Sequence, residues 1–240
     1  MKSSNILTIS GINIEVEYKK IRNIHLAVYP PDARVHISAP DYCTEEDLRA
    51  FALSKTAWIK SQRDSLLEAE RQTRREYVSG ENHYLFGMRY ILRVIEQDAV
   101  PHVEKTHTHL LLYVRPGATR EKRMEVLRDF YRAQLHDCLT FRFQQWQSRM
   151  DTHDFTWSIQ MMKTQWGSCT QTTRTIRMNL LLARVPIECI DYVVVHEMCH
   201  LQERLHNKVF EALMTKYMPT WRKSRTQLNE FVGLSLSDFT

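Results

Sequence analysis

The chain has 240 residues, 43% of them hydrophobic and 25% charged, with a formal net charge of +5. This length suffices for one sizeable domain, and the composition excludes a long disordered or low-complexity protein. Five scattered cysteines without a Cys-x-x-Cys pair argue against a disulfide framework and favour a reducing compartment. Because there is neither a signal-peptide core nor a run of about 20 apolar residues, we expect a cytoplasmic protein without membrane spans.

The first half of the chain is predicted to contain two groups of strands with a helix between them. Apolar and polar residues alternate within residues 6–40, which predicts strands. Thr44 followed by Asp47 resembles a capping box, and predicts a helix from there to about residue 76. Residues 77–115 are again predicted to form strands, separated by glycines.

The second half is predicted to be mostly helical. Its expected elements are a long helix over 119–149, strands over 155–163 and 174–183, and helices from Pro186 onwards with breaks near residue 206 and at Pro219. Strands and helices mix without regular alternation and without an evident internal repeat, so we expect an α+β fold. We expect one domain over 1–240, with a strand-rich N-terminal lobe with a long helix (about 1–116) and a second lobe (about 117–240).

The segment His196–His200 has the H-E-x-x-H spacing of zinc peptidases. On a helix, residues four apart lie about one turn apart on nearly the same face, so both imidazoles can reach one zinc ion. The run Val193–Val195 prefers a strand, but a strand would place the two histidines about 13 Å apart, too far for one ion. Pro186 at an early helical position, with Glu188 in the first turn, supports a helix.

Glu197 is the candidate general base. It is offset from His196 by about 100° around the helix, so its carboxylate is directed less at the metal than at a water beside it. Zinc can lower the pKa of such a water to about 7, and a nearby carboxylate can then accept the proton.

A catalytic zinc usually takes three protein ligands and leaves one position open. His206 is the candidate third ligand, provided that the helix ends near Arg204 and the chain folds back. Asn207 supports this break, because asparagine is a favourable N-cap for a new helix. Glu211 and Glu230 are the alternative third ligands.

The sequence resembles the YgjP-like metallopeptidase-domain family, zincins related to the SprT-like and Wss-type proteases, over about residues 11–231. The resemblance rests on residues 162–169 with their Trp-Gly-Ser-Cys segment, on Asn179-Leu180, and on residues 190–206 with the histidine motif. The sequence departs from the family at Gln165, where arginine is usual, and at Glu211, where tryptophan is frequent.

The resemblance implies a zincin-like catalytic lobe in which His196, His200 and His206 bind one Zn²⁺ and Glu197 is catalytic. It also implies a polypeptide substrate. The strand expected over 174–183 would run along the cleft and pair with an extended substrate backbone. Trp166 could form a wall of this cleft or belong to the core.

We therefore expect a zinc-dependent metallopeptidase. One alternative is a zinc-stabilised module that binds protein or DNA without catalysis, and another is a protease that acts on DNA-bound proteins. The positive net charge and the basic clusters motivate both alternatives, although such clusters usually form a solvated helix face. The clusters comprise Arg71, Arg74, Arg75, Arg120, Lys122, Arg123, Arg128 and Arg132.

Overall fold

The computed structural model describes residues 5–29, 33–71 and 75–231. They divide into two compact units, residues 1–74 and 75–240, and the α+β class is confirmed. The division differs from the lobe boundary expected near residue 116, because Leu110 and Leu112 before that point share one core with Leu127 after it. A single domain over the whole chain stays a prediction. No helix in the described ranges is long and apolar enough to cross a membrane.

The first unit is a four-stranded sheet with two helices. Its elements are β1 (Asn5–Ile9), β2 (Ile12–Lys19), β3 (His25–Tyr29), β4 (Arg34–Pro40), α1 (Glu45–Ser54) and α2 (Thr56–Arg71). The strand order is β1-β2-β4-β3, with only β2 and β4 parallel. Alternate residues of β2, such as Ile14 and Val16, are buried, and they pack with Leu48 of α1 and Ile59 of α2.

The helix predicted from Thr44 to about residue 76 is two helices. Thr44 caps α1 with the predicted capping box, but α1 ends at Ser54. Two hydroxyl groups beside the break donate to helix carbonyls: Ser54 Oγ to Phe51 O (2.7 Å) and Thr56 Oγ1 to Ala52 O (3.2 Å). Such side-chain bonds compete with the helical backbone ladder. Residues 72–74 of the predicted helix lie outside the described residues, and Arg75 and Glu76, where it was expected to end, are not helical.

The second unit contains two sheets and the remaining helices. Its elements are β5 (Asn82–Leu85), β6 (Met88–Glu96), β7 (His102–Lys105), β8 (His109–Val114), α3 (Arg120–Met150), β9 (Thr156–Gln160), β10 (Gly167–Thr170), β11 (Thr175–Asn179), a 3₁₀ helix (Leu180–Arg184), α4 (Ile187–Cys199), α5 (Lys208–Tyr217) and α6 (Trp221–Asn229). The sheets have the orders β5-β6-β8-β7 and β10-β11-β9. The long helix α3 confirms the helix predicted over 119–149, and Thr119 is its N-cap.

The two four-stranded sheets are a structural repeat that the sequence does not show. Both have the same strand order, with the same antiparallel, parallel and antiparallel pairings. Each first hairpin turns through two residues with positive φ, the second of them glycine: Gly87 follows Gly11 by 76 residues. Each sheet leads into a helix capped by threonine, and Thr119 follows Thr44 by 75 residues. The repeat escapes sequence analysis because few residue identities besides these turn and cap positions are shared.

In the second unit, the hairpin between β5 and β6 supports the chain that enters α4. The amides of Phe86 and Gly87 donate to the carbonyls of Ala183 (2.8 Å) and Arg184 (3.2 Å). A Cβ on Gly87 would lie 2.9 Å from Cγ of Pro186, and φ is +79° there. Glycine is therefore required both for the turn and for the close approach of Pro186.

His83 on β5 makes the second unit sensitive to acid. Its side chain is buried, 3.3 Å from the Glu81 carboxylate, and burial is the main cause that lowers the pKa of His83 below 6.5. Below pH 6.5 the unfolded chain therefore binds a proton that the folded chain does not. Stability falls as pH falls through this window, by up to about 1 kcal/mol per pH unit.

We expect the free energy of unfolding, measured in urea by tryptophan fluorescence, to decrease less between pH 7.5 and 5.5 in His83→Gln than in the parent chain. The exposed His107→Gln is the matched control and should behave like the parent. Equal pH dependence in His83→Gln and the parent would contradict the prediction.

Candidate metal centre

The H-E-x-x-H segment lies at the end of α4. The helix begins after Pro186, contains His196 and Glu197 in its last turn, and ends with His200 as C-cap. The β-branched run Val193–Val195 is helical here because its side chains are buried on several sides of α4. Cys199 is also fully buried and burial raises its pKa to about 12, which fits a small core residue rather than a ligand.

Side chains from α3 and α6 hold α4 in position. Asp191 accepts hydrogen bonds from Arg142 Nη1 (3.1 Å) and Trp146 Nε1 (2.9 Å), both on α3. Tyr192 stacks on Trp221 of α6, with ring centroids 6.5 Å apart and planes within 6°. The two contacts start from neighbouring residues of α4 and oppose its rotation about the helix axis.

The chain folds back after α4 and brings His206 to the other two histidines. Glu203 N donates to Cys199 O (2.9 Å), and Leu205 N donates to the Glu203 carboxylate (3.0 Å). Asn207 then caps α5 by accepting a hydrogen bond from Phe210 N (3.0 Å), as the sequence predicts. The polar side chains of Glu203 and Asn207, on either side of His206, therefore stabilise this reversal of the chain.

The three imidazoles converge through their Nε2 atoms. His206 Nε2 lies 3.0 Å from His196 Nε2 and 3.0 Å from His200 Nε2. One neutral imidazole nitrogen either donates one proton or offers one lone pair, so hydrogen bonding alone does not account for three nitrogens that face one another. Ligands about 2.05 Å from a tetrahedral zinc ion are about 3.3 Å apart. The residues therefore fit a shared cation and leave a fourth position free.

The environment of the histidines favours the neutral form that metal binding requires. Burial, helped by the neighbouring imidazoles, lowers the pKa of His196 to about 3, and burial also lowers the pKa of His200. His200 Nδ1 lies 3.0 Å from the carbonyl oxygen of Glu203. A proton on Nδ1 donates to that carbonyl and leaves the Nε2 lone pair for a metal.

The alternative ligands are not part of this cluster. Among the described residues, the group of three or more potential ligands that converge consists of the three histidines and contains no carboxylate. Glu211 lies on α5 with its carboxylate 3.4 Å from Arg222, and Glu230 is the C-cap of α6. Neither is brought to the histidines.

Phe210, which sequence analysis did not single out, contacts all three histidines. Its ring centroid lies 5.0 Å from that of His196, 4.6 Å from that of His200 and 4.8 Å from that of His206. The side chain is buried, and its ring is nearly parallel to that of His200. Phe210 therefore restricts the orientation of each imidazole.

We expect Phe210→Leu to weaken zinc binding about tenfold, because groups that orient metal ligands typically affect affinity by that order or more. Competition against a chromophoric chelator would measure the dissociation constant. Met214→Ala, one turn further along α5 and equally buried, is the control for a general loss of packing. Equal zinc affinity in Phe210→Leu and the parent would show that the ring does not orient the ligands.

Glu197 lies between α4 and β10, against a glycine. Only 5% of its surface is exposed, and burial raises its pKa to about 8. A Cβ added to Gly167 would lie 2.8 Å from both Cγ and Oε1 of Glu197. Gly167 therefore leaves the space that the carboxyl group occupies. In the sequence, the Trp-Gly-Ser-Cys segment carries only a family resemblance, and no local pattern indicates that its glycine contacts Glu197.

Asn179 fixes the segment that leads into β10. Its Nδ2 donates to the carbonyls of Met162 (2.8 Å) and Gln165 (2.7 Å), and its backbone amide donates to Trp166 O (2.9 Å). Its Oδ1 accepts a hydrogen bond from Leu181 N at the start of the 3₁₀ helix. Asn179 is 2% exposed, so this network is shielded from water, and Trp166 is half-buried against the core.

The structure corrects the expectation that the strand over 174–183 offers a free edge. The strand β11 ends at Asn179, which caps the 3₁₀ helix, and β11 lies between β10 and β9. A strand paired on both sides has no edge for a further strand. The edge strand nearest Glu197 is β10, which pairs with β11 alone among the described strands. It was missed because Gly167–Thr170 lacks an alternating apolar pattern.

Comparison with known proteins gives the family. A family model described as YgjP-like, metallopeptidase domain, matches residues 22–231. No curated protein matched the chain. The metallopeptidase zymogen of Methanocaldococcus jannaschii jannalysin has a crystal structure similar to part of the chain, with a TM-score of 0.34 and 19% identity. The match covers 40% of this chain and 93% of that one. The family match spans most of the chain, which therefore belongs to the YgjP-like metallopeptidase family.

Proposed function

We propose that this metallopeptidase depends on one zinc ion held by His196, His200 and His206, with Glu197 as general base in a zincin-like lobe. The observation that supports it best is the convergence of three Nε2 atoms beside a buried carboxyl group. Imidazole nitrogens suit zinc, and the set contains no carboxylate, which magnesium or calcium would prefer. The five free cysteines fit the reducing environment of the cytoplasm.

The residues of the site have different roles in the proposed peptide hydrolysis. A bound zinc ion supplies Lewis acidity for the scissile carbonyl and the attacking water. Burial alone raises the pKa of Glu197, but a bound cation nearby would favour its ionised form. The carboxylate then accepts a proton from that water and delivers it to the leaving nitrogen. Gly167 leaves room for the carboxylate, and the surrounding burial excludes bulk water from it. An extended polypeptide substrate can align by pairing with the free edge of β10.

The binding alternatives receive less support from the contacts. Within the basic clusters, Arg120 donates to the carbonyl of Arg75 (2.8 Å), Arg123 to those of Ala118 and Tyr77, and Arg132 to that of Ile159 (2.8 Å). These guanidinium groups hold the second unit together, and are thus only partly available for phosphates. We therefore favour a peptidase over a DNA-binding module.

Removing the metal is expected to abolish hydrolysis of an unfolded protein, and one equivalent of zinc should restore it. Elemental analysis should find about one zinc per chain in the parent and much less in His206→Ala, because two imidazoles alone leave the ion weakly held. His153→Ala, an exposed histidine away from the cluster, is the matched control and should retain the metal. Full zinc content and activity in His206→Ala would refute the ligand assignment.

A further inference from the structure

The structural repeat allows the same hairpin to be compared in the two units. Ser10 and Gly11 turn the chain from β1 to β2 with φ of 49° and 77°, and Phe86 and Gly87 turn it from β5 to β6 with 51° and 79°. The two turns therefore have the same backbone shape and present their amides in the same way. The segment that covers the turn in the second unit therefore indicates what kind of ligand the turn in the first unit can bind.

In the second unit the turn is covered by Ala183–Pro186, which comprises the last two residues of the 3₁₀ helix and the two residues that follow it. Two successive carbonyls of this segment accept hydrogen bonds from Phe86 N and Gly87 N, and the ring of Pro186 lies directly over Gly87. The 3₁₀ helix, which contains the first two residues of the segment, contacts both β5 and α3. The hairpin and the sheet to which it belongs thus form a binding surface for a short polypeptide segment.

In the first unit no described residue covers the corresponding place. A Cβ on Gly11 would meet no atom of the described residues within 4 Å. Beside it is a cavity of about 360 Å³ between the hairpin, the start of β4 and α2, with Asn13, Arg34 and Arg63 among its lining residues. The Nε atom of Arg63 is buried and has no hydrogen-bond partner in the described part of the chain. A buried donor of this kind calls for an acceptor.

We propose that the first unit binds a short segment of another polypeptide in this cavity, as the second unit holds its own Ala183–Pro186. Backbone carbonyls of the segment accept from the turn amides and from Arg63 Nε, and a proline or small residue lies over Gly11. The cavity is within the size range of sites for small ligands, which suits a few residues. The bound polypeptide is the substrate of the proposed peptidase, so this part of the inference rests on the proposed function.

The cavity offers hydrogen-bond donors, and a polypeptide supplies matching acceptors in its backbone carbonyls. Arg34, which also lines it, lies 3.6 Å from the Glu15 carboxylate, so this charge is already partly compensated. A neutral acceptor such as a backbone carbonyl satisfies the remaining donor without adding a charge that must be desolvated. Binding at this place would hold a long substrate at a second point and raise its local concentration near the metal centre.

The probe is a fluorescent peptide with the sequence of residues 180–188, the segment that the second unit already holds. Its anisotropy is measured against the full chain carrying Glu197→Gln, so that cleavage does not interfere. We expect saturable binding that weakens at least about tenfold in Gly11→Asn, because asparagine tolerates positive φ but fills the space over the turn. Arg63→Leu should weaken binding similarly through loss of the donor.

Two variants serve as matched controls. Gly80→Asn places the same side chain at another glycine with positive φ and open surroundings, and Arg49→Leu removes an exposed arginine of α1. Both should bind the peptide like the parent. Circular dichroism identifies any variant that fails to fold, and Arg63→Leu tests the cavity without altering the turn. Absence of saturable binding, or equal binding in all four variants, would overturn the proposal.

A second measurement separates this inference from the proposed function. With active chain, Gly11→Asn should lower kcat/KM several-fold for a long unfolded protein, and leave it unchanged for a short peptide that reaches only the metal centre. If the chain hydrolyses nothing, the proposed function fails, yet peptide binding still decides the inference. If both substrates are hydrolysed equally well by parent and variant, the cavity does not recruit substrate.

Discussion

Glu197→Gln is expected to slow the hydrolysis of an unfolded protein by about 1000-fold while leaving one equivalent of zinc bound. The amide has nearly the same shape as the carboxylate and fits the space beside Gly167. It does not accept a proton at the operating pH, however, and general acid–base catalysis contributes about 10²–10⁴-fold. Because the three histidines remain, metal content should not change.

Glu211→Gln is the control for this comparison. Glu211 is an exposed acidic residue on α5, and it is one of the two alternative third ligands that the sequence offers. The Glu211→Gln variant should retain both zinc and activity. Initial rates on a quenched fluorescent protein substrate, together with zinc analysis of each variant, measure both quantities. Turnover in Glu197→Gln within a few-fold of the parent would exclude Glu197 as the base, and loss of zinc would show that it supports the metal.

The placement of the three histidines could be predicted largely from local rules. Two histidines four residues apart fit one metal only on a helix, and Asn207 marks the start of the next helix. Both requirements are local, so the spacing of His206 was informative without any knowledge of the fold. Burial of Val193–Val195 then overrides their strand preference, as tertiary packing commonly does.

The contacts from other parts of the chain could not be predicted in this way. Gly167 and Glu197 are 30 positions apart, and their contact depends on how β10 packs against α4. Likewise Phe210 touches the histidines only because the chain reverses after His200. The free edge at β10 cannot be predicted without the strand order, and the family resemblance indicates the strand over 174–183 instead.

Gly167→Ala is expected to reduce kcat about 100-fold with zinc retained. Alanine is favoured over glycine in a strand, and this glycine has no positive φ, so the backbone itself accepts the change. The added methyl group would lie 2.8 Å from two atoms of Glu197 and must displace its side chain. A displacement of about 1 Å at a catalytic group can cost about 10²-fold in rate. Ser168→Ala, at the next position of β10, should have little effect.

A double variant distinguishes displacement of Glu197 from a general disturbance of β10. If Gly167 acts only through the Glu197 carboxylate, adding Gly167→Ala to Glu197→Gln should cause little further loss, because the group that it misplaces no longer accepts a proton. If the residual activity of Glu197→Gln falls another 100-fold, Gly167 serves the substrate or the sheet instead. Residues that act as one unit are strongly non-additive, so the comparison tests whether β10 and α4 form a single catalytic element.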